Sequence, residues 1–132
     1  MDHASTARRT VVDAIRDFVP PGVALAGGLI GAATSSPFPE EDAALQRSVD
    51  KRRREFVAGR EYARAAMAQL GRPAAPIAVR PSRAPYWPEG LTGSISHSGD
   101  TCVAAVATTS NFVSLGIDIE FATPLSPELH AT

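Results

Sequence analysis

Two acidic residues, Asp118 and Glu120, are spaced so that their carboxylates could bind one metal ion. They lie in the run LGIDIE at residues 115–120. Side chains on a β-strand alternate between its two faces, so a strand here would place the aliphatic residues on one face and both carboxylates on the other. Mg²⁺ sites in proteins use one or two carboxylates and complete the shell with water and substrate phosphates. The pair therefore indicates a magnesium site, although a solvated strand face carries the same pattern.

A histidine follows a serine upstream of the acidic pair, within Ser94-Ile95-Ser96-His97. In the strand predicted here, we expect Ile95 to face the core with Ser96 on the same side, and Ser94 and His97 to point elsewhere near the strand end. Ser96 and His97 are not a hydrolase pair, because neighbours on a strand point apart and no G-x-S-x-G elbow is present. The role of the histidine stays open, since a strand-end histidine is also an ordinary polar residue.

The basic residues are concentrated in one segment. Five of the 13 lysines and arginines lie in residues 47–54, and all but one of the 13 are arginines. On a helix, Arg53, Arg60 and Arg64 would form a stripe beside an apolar one, with Arg52 on the other flank. Such guanidinium groups repel one another unless an anion or a carboxylate lies between them, and nearby acidic residues neutralise only part of the charge. Those residues are Glu55 and Glu61. The alternative is a solvated face whose arginine stems cover apolar surface.

The helix that carries these arginines is the longest predicted element. It spans Glu40 to Gln69 with a break near residues 48–50, and its first turn holds three acidic residues that suit the positive end of a helix dipole. Gly71 followed by Pro73 marks its end. An apolar stripe on its second half can face a core. The members of this stripe are Phe56, Ala63, Met67 and Leu70.

The remaining elements are predicted to form a helix and a small sheet. Residues 5–19 show the apolar spacing of a short amphipathic helix, and residues 23–26 are predicted as a buried strand that runs into a turn at Gly27 and Gly28. Three more strands are predicted at residues 93–98, 102–107 and 113–120, with a hairpin turn at residues 98–100. The second of these is apolar on both faces, which predicts a central strand. We therefore expect an α+β fold in which a long helix packs on a small antiparallel sheet.

Composition limits the classes of function. A chain of 132 residues is predicted to form one domain, and a net charge of −1 gives no general attraction for nucleic acid. The single Cys102 leaves no internal disulfide and no cysteine-based zinc site. No apolar run is long enough to cross a bilayer, and the first residues lack the pattern of a signal peptide. These features predict a soluble, cytoplasmic protein with neither a membrane span nor a nucleic-acid partner.

Four motifs together resemble a known family. They are KRRREFVAGR at residues 51–60 with Ala-Arg at 63–64, RAPYWPEG at 83–90, GSISHS at 93–98 and GIDIE at 116–120. In this order and at these spacings they resemble the N-terminal half of a 4′-phosphopantetheinyl transferase of the larger, two-lobed type. Enzymes of this type, which include the enterobactin synthase component, serve siderophore, polyketide and non-ribosomal peptide synthesis. The resemblance covers roughly residues 23–127.

The resemblance implies a reaction and a set of site residues. Such enzymes use Mg²⁺ to transfer the phosphopantetheine arm of coenzyme A to a serine of an apo carrier protein, and they release adenosine 3′,5′-bisphosphate. By resemblance, the coenzyme A-binding residues are Arg52 and Arg60 at the 3′-phosphate and adenine, Arg83 along the nucleotide, neighbouring Arg53, and Ser96 and His97. His97 would donate to a phosphate of the cofactor. Asp118 and Glu120 would bind Mg²⁺ and, with His97, form the catalytic set.

The sequence departs from the two-lobed pattern after Glu120. It lacks the Trp-x-x-Lys-Glu-Ala-x-x-Lys helix, which in this family supplies a third carboxylate, the general base and a lysine for the cofactor phosphates. We therefore expect residues 1–115 to form the first lobe and residues 116–132 to hold the first strand and truncated start of the second, with impaired activity and a sheet edge that favours self-association. There are two alternatives. The chain could be a non-catalytic coenzyme A- or nucleotide-binding half that a second-lobe polypeptide completes, or it could be a degenerate interaction protein.

Overall fold

A computed structural model describes residues 11–17 and 19–110. The helices in this part are α1 (Val11–Arg16), α2 (Pro39–Ala43) and α3 (Asp50–Gln69). The strands are β1 (Ala24–Leu29), β2 (Ala78–Val79), β3 (Pro85–Tyr86), β4 (Leu91–Ser98) and β5 (Thr101–Thr108). The α+β prediction is confirmed, because the long α3 packs on a small antiparallel sheet. The strand predicted at residues 113–120, its two carboxylates and the predicted domain boundary lie outside the described residues.

The main sheet has the order β1-β5-β4, and both pairings are antiparallel. All six residues from Cys102 to Ala107 in β5 are buried, so the prediction of a central strand covered on both faces is confirmed. The turn between β4 and β5 is the predicted hairpin: Gly99 has a φ of +61°, and two-residue hairpin turns require such a left-handed residue.

Strand β1 extends further than the sequence pattern predicted. Gly27 and Gly28 pair with Val103 and Cys102 of β5 inside the strand, so the predicted glycine turn is wrong. A Cβ atom on Gly27 would lie 2.6 Å from the carbonyl oxygen of Cys102, and one on Gly28 would lie 2.7 Å from the hydroxyl of Tyr62. The glycines are therefore explained by the close approach of β5 and α3 to this strand.

The two faces of the sheet are covered by different helices. On one face, Ala63, Ala66 and Met67 of α3 pack with Ala104 and Val106 of β5. The other face holds Val103, Ala105 and Ala107 of β5 with Ile15 of α1. The two faces alternate along β5 as the pleat requires. No helix within the described ranges combines the length and the apolar character that a membrane span needs.

The helical region predicted from Glu40 to Gln69 is divided by a break, as expected, into α2 and α3. Helix α3 ends in a Schellman motif: the N–H of Arg72 donates to the carbonyl of Met67, and the N–H of Gly71 donates to that of Ala68. Gly71 takes the left-handed conformation with a φ of +76°. The predicted end of the helix is therefore confirmed. Beyond it, β2 and β3 form a separate two-stranded ribbon.

Candidate functional site

Helix α3 presents the candidate residues on two neighbouring stripes. Arg52, Phe56 and Arg60 recur every four residues and line one cavity. Glu55 and Gly59 lie on the adjacent stripe, which faces the sheet. Helical periodicity produces this division, because residues four apart share a face and a step of one residue turns the side chain by about 100°.

A small cavity brings three of the predicted ligand-binding arginines together. Its volume is about 120 Å³. Arg52 and Arg60 reach it from α3, and Arg83 reaches it from the turn between β2 and β3. The full lining consists of Ala44, Leu45, Ser48, Arg52, Phe56, Arg60, Val79 and Arg83. We call this cavity the arginine cavity. None of these described lining residues is acidic, so the cavity carries the positive charge that a site for an anion needs.

Arg60 forms the buried base of the arginine cavity. Its Nε donates to the carbonyl oxygen of Ile77 at 3.0 Å and its Nη2 donates to that of Ala78 at 3.4 Å. The guanidinium carbon lies 4.0 Å from the centroid of the Phe56 ring. Burial lowers the pKa of Arg60 to about 10, partly opposed by the carboxylate of Glu41. The side chain is therefore cationic at neutral pH and is fixed in one orientation. Its Nη1 atom takes part in neither of the two hydrogen bonds to Ile77 and Ala78.

Arg83 enters the cavity from a strained backbone position. Its φ is +77°, and it is the non-glycine residue with positive φ among those the structure describes. The turn that holds it is closed by hydrogen bonds from the N–H of Arg80 to the carbonyl of Ala84, and from the N–H of Arg83 to the carbonyl of Arg80, both 2.8 Å long. The left-handed conformation costs a residue with a Cβ about 1–2 kcal/mol. The hydrogen-bonded turn maintains this strained backbone conformation, and it thereby directs the exposed side chain of Arg83 to the cavity.

A buried carboxylate, Glu41, neutralises Arg64. Glu41 is fully buried and forms an ion pair with Arg64. It also accepts hydrogen bonds from the hydroxyl of Ser36 at 2.7 Å and from the N–H of Ile77 at 2.8 Å. Sequence reasoning placed Glu41 only at a helix dipole and assigned the neutralising role to other glutamates. The available signal was the number of arginines on α3, which required a nearby carboxylate without identifying it.

Arg53 lies apart from the arginine cavity. Its Nε donates to the carbonyl of Ser48 at 2.9 Å and its Nη2 donates to that of Gln46 at 3.2 Å. These bonds brace the turn that precedes α3. Arg53 lines a different cavity, of about 610 Å³, together with Ser36, Pro37, Pro39, Asp42, Ala43 and Gln46. The assignment of Arg53 to coenzyme A binding therefore stays a prediction.

His97 lies on the α3 face of the sheet. The register pairs His97 with Cys102 and Ile95 with Ala104, and Ile95 and Ala104 belong to the cluster that packs on α3. Ser96 pairs with Val103 and lies on the opposite face. The expectation that Ser96 shares the side of Ile95 is wrong, because strict alternation gives that side to His97.

No group of three or more histidine, cysteine, aspartate or glutamate residues within ranges 11–17 and 19–110 is arranged to hold a metal ion. The predicted magnesium ligands, Asp118 and Glu120, lie outside those ranges. Cys102 is buried, and burial raises the pKa of its thiol to about 11. It is therefore neutral and unreactive at neutral pH.

Comparison with known proteins identifies the family. Residues 40–107, from α2 through most of β5, match the family model described as the 4′-phosphopantetheinyl transferase N-terminal domain. The chain belongs to this family. The family match contains the three arginines of the cavity as well as Ser96 and His97, and the predicted metal ligands lie beyond it.

The curated relatives that this chain matches are longer than the matching segment. The chain is 40% identical over 106 residues to 4′-phosphopantetheinyl transferase Npt of Nocardia iowensis, covering 80% of this chain and 48% of that protein. It is 44% identical over 85 residues to PptT of Mycobacterium tuberculosis, covering 64% and 37%. With enterobactin synthase component D of Escherichia coli it shares 41% identity over 78 residues, covering 59% and 35%. The chain thus spans between a third and a half of these relatives.

Proposed function

We propose that this chain takes part in transferring the 4′-phosphopantetheine group from coenzyme A to a serine of an apo carrier protein. The observation that carries the proposal is the arginine cavity, which lies within the family match and gathers Arg52, Arg60 and Arg83. Three of the residues that the family resemblance assigns to the cofactor come from two distant segments of the chain and meet at one place. A face of arginines that only covered core surface would give no reason for this convergence.

Coenzyme A suits the charge of the arginine cavity. The cofactor carries a 3′-phosphate and a pyrophosphate, and guanidinium groups bind phosphate oxygens with paired hydrogen bonds. A volume of about 120 Å³ holds one small group rather than the whole cofactor, so we assign the 3′-phosphate to it. Arg60 would bind from the base of the cavity, with exposed Arg52 and Arg83 at its rim. The remainder of the cofactor would follow α3 towards His97.

The reaction is attack of the serine oxygen on the phosphorus that bears the phosphopantetheine arm. An oxygen–phosphorus bond forms, the bond to the adenosine 3′,5′-bisphosphate leaving group breaks, and the hydroxyl proton passes to a base. His97 would donate to a cofactor phosphate. Asp118 and Glu120 would hold Mg²⁺, which suits hard carboxylate oxygens and neutralises charge on the leaving group. A carrier protein and coenzyme A are thus the proposed partners.

Mass spectrometry of an apo carrier protein tests this function. The carrier is incubated with coenzyme A, Mg²⁺ and the chain, with and without the polypeptide that corresponds to the remainder of a longer relative. A gain of one phosphopantetheine group that is lost in the Asp118→Ala variant supports the transferase. Coenzyme A that protects the chain against heat without any transfer supports a binding half without turnover. Neither transfer nor protection would refute both.

Replacement of Arg83 by glycine should separate binding from stability. Glycine adopts the observed backbone without the strain of about 1–2 kcal/mol, while it adds conformational entropy to the unfolded chain worth about 0.5–1 kcal/mol. We expect the free energy of unfolding to be unchanged or up to about 1 kcal/mol higher. Loss of a charged hydrogen-bond donor should weaken binding of adenosine 3′,5′-bisphosphate about tenfold. Urea unfolding and calorimetric titration measure the two quantities.

Arg80→Gly is the matched control for Arg83→Gly. Arg80 lies in the same turn and stacks on the ring of Tyr86, with its guanidinium carbon 4.5 Å from the ring centroid, but it does not line the arginine cavity. This variant should be less stable and bind the nucleotide normally. A destabilised Arg83→Gly variant with normal affinity would contradict our assignment.

A further inference from the structure

The ring of Phe56 and the guanidinium group of Arg60 stack on each other at the base of the arginine cavity. The guanidinium carbon lies 4.0 Å from the ring centroid, and both residues are only 6% exposed. They are four residues apart on α3, so their side chains share one side of the helix. The stack therefore belongs to the buried wall of the cavity and not to its exposed rim, where Arg52 and Arg83 lie.

The partners of Arg60 stabilise a buried cation without neutralising it. Burial of a charged group is costly unless the group is paired or hydrogen-bonded. Arg60 donates to the carbonyls of Ile77 and Ala78, which are uncharged acceptors. Within the described residues, carboxylates form ion pairs with Arg64 and His97 but not with Arg60. The negative face of the Phe56 ring thus supplies electrostatic stabilisation and leaves the positive charge uncompensated.

Arg64, on the same helix, has a carboxylate partner as well as a ring. Its guanidinium carbon lies 4.6 Å from the ring centroid of Phe38, and the side chain also pairs with the buried Glu41. The two opposite charges compensate each other, and Arg64 does not line the arginine cavity. A ring in place of a carboxylate is therefore the feature that distinguishes the buried arginine of the cavity.

We propose that Phe56 is a positioning residue for recognition of the 3′-phosphate of coenzyme A: its ring holds the guanidinium of Arg60 in place and leaves the charge available to the phosphate. This proposal rests on the transferase function, and on the assignment of the 3′-phosphate to the arginine cavity, proposed above. Phe56 acts through Arg60, because its ring offers a phosphate oxygen no charge-assisted hydrogen bond. A donor that is already fixed loses less conformational entropy when the ligand binds.

The first test measures recognition of the 3′-phosphate. Coenzyme A and dephospho-coenzyme A differ only in that group, so the ratio of their dissociation constants isolates it. Phe56→Leu removes the ring face and keeps an apolar side chain in the core. We expect the preference for coenzyme A to fall about threefold to tenfold, which is the size of a cation–π contact to a desolvated cation. Affinity for dephospho-coenzyme A should stay nearly unchanged. Direct and competitive calorimetric titrations well below the midpoint of thermal unfolding measure both constants.

Phe38→Leu is the matched control for Phe56→Leu. It removes the ring that stacks on Arg64, outside the arginine cavity, and should leave the preference for coenzyme A unchanged even if it lowers the free energy of unfolding. In an Arg60→Ala background, Phe56→Leu should not change the preference further, since the group that the ring positions is absent. Phe56→Met fills more of the same space without a ring face, and it replaces Phe56→Leu if that variant does not fold.

The second test needs no ligand. NMR of the ligand-free chain follows rotation of the Arg60 guanidinium about its Nε–Cζ bond through the Nη–H signals, which are assigned by their loss in Arg60→Lys. A guanidinium that is fixed by the ring and by two carbonyls should rotate slowly. We expect rotation to become several times faster in Phe56→Leu and to remain slow in Phe38→Leu.

The outcomes separate this inference from the proposed function. Equal losses of affinity for both ligands in Phe56→Leu, an unchanged preference, or a further fall in the Arg60→Ala background would show that the ring has only a structural role. Equal binding of both ligands by the parent chain would overturn the assignment of the 3′-phosphate and this inference with it. Failure of the parent chain to bind coenzyme A would count against the proposed function. In that case the NMR measurement still decides, because rotation that is equally slow in Phe56→Leu would overturn the role of the ring.

Discussion

Replacing Glu41 by glutamine is expected to lower the free energy of unfolding by about 3 kcal/mol or more. The carboxylate is fully buried and faces the guanidinium of Arg64, whose side chain is only 11% exposed. Removal of one partner leaves the other as an uncompensated charge in a poorly solvated place, which typically costs about 3–5 kcal/mol. Glutamine keeps the size of the side chain, so the loss reports on charge rather than on a cavity. Urea unfolding followed by circular dichroism measures it.

Glu40→Gln provides the matched control for Glu41→Gln. Glu40 precedes Glu41 in α2 but is exposed, so its neutralisation should change the free energy of unfolding by less than about 0.5 kcal/mol. A double variant with Arg64→Gln should recover part of the loss, because the remaining cation is removed together with its partner. Equal effects of Glu40→Gln and Glu41→Gln would show that Glu41 has no special role.

Replacing Arg60 by alanine should both weaken nucleotide binding and lower the free energy of unfolding. The side chain donates to the carbonyls of Ile77 and Ala78, and loss of a buried partner costs about 1–3 kcal/mol of unfolding free energy. We also expect affinity for adenosine 3′,5′-bisphosphate to fall about 10- to 100-fold, as loss of a charged hydrogen bond to phosphate predicts. Calorimetric titration well below the midpoint of thermal unfolding measures the affinity of the folded form.

Arg52→Ala separates the two effects of Arg60→Ala. Arg52 lines the same cavity but is exposed, so its removal should weaken nucleotide binding without lowering the free energy of unfolding by more than about 0.5 kcal/mol. If Arg52→Ala and Arg60→Ala both bound the nucleotide like the parent chain, the arginine cavity would not be the phosphate site.

The spacing of apolar residues and the positions of glycine and proline predicted most of the helices and strands, because these signals are local. Gly71 and the apolar stripe of α3 fixed the end and the buried side of that helix. The glycines of β1 failed as a turn signal, because what requires them is the approach of Tyr62 and of the Cys102 carbonyl from distant parts of the chain. No local pattern contains such contacts.

Sequence motifs name candidate site residues, but they do not name the residues with which those candidates pair. The predicted stripe joined Arg60 to Arg53 and Arg64 and put Arg52 on the other flank. In the structure Arg52 and Arg60 line one cavity, and Arg53 is bonded to the turn before α3. The pairing of Arg64 with Glu41 joins residues on different helices, and that of His97 with Glu55 joins a strand to a helix. Sequence spacing cannot supply these pairs, because they depend on how α2, α3 and β4 pack.

The hydrogen bonds of Glu41 and Arg60 converge on one short segment, residues 77–78. That segment begins the β2–β3 ribbon, which supplies Val79 and Arg83 to the arginine cavity. If the ribbon detaches from α2 and α3, the polar anchors and the cavity wall are lost in one event, which defines a cooperative unit of partial unfolding. Nucleotide that occupies the cavity would be linked to the closed form and would slow amide hydrogen exchange across this unit.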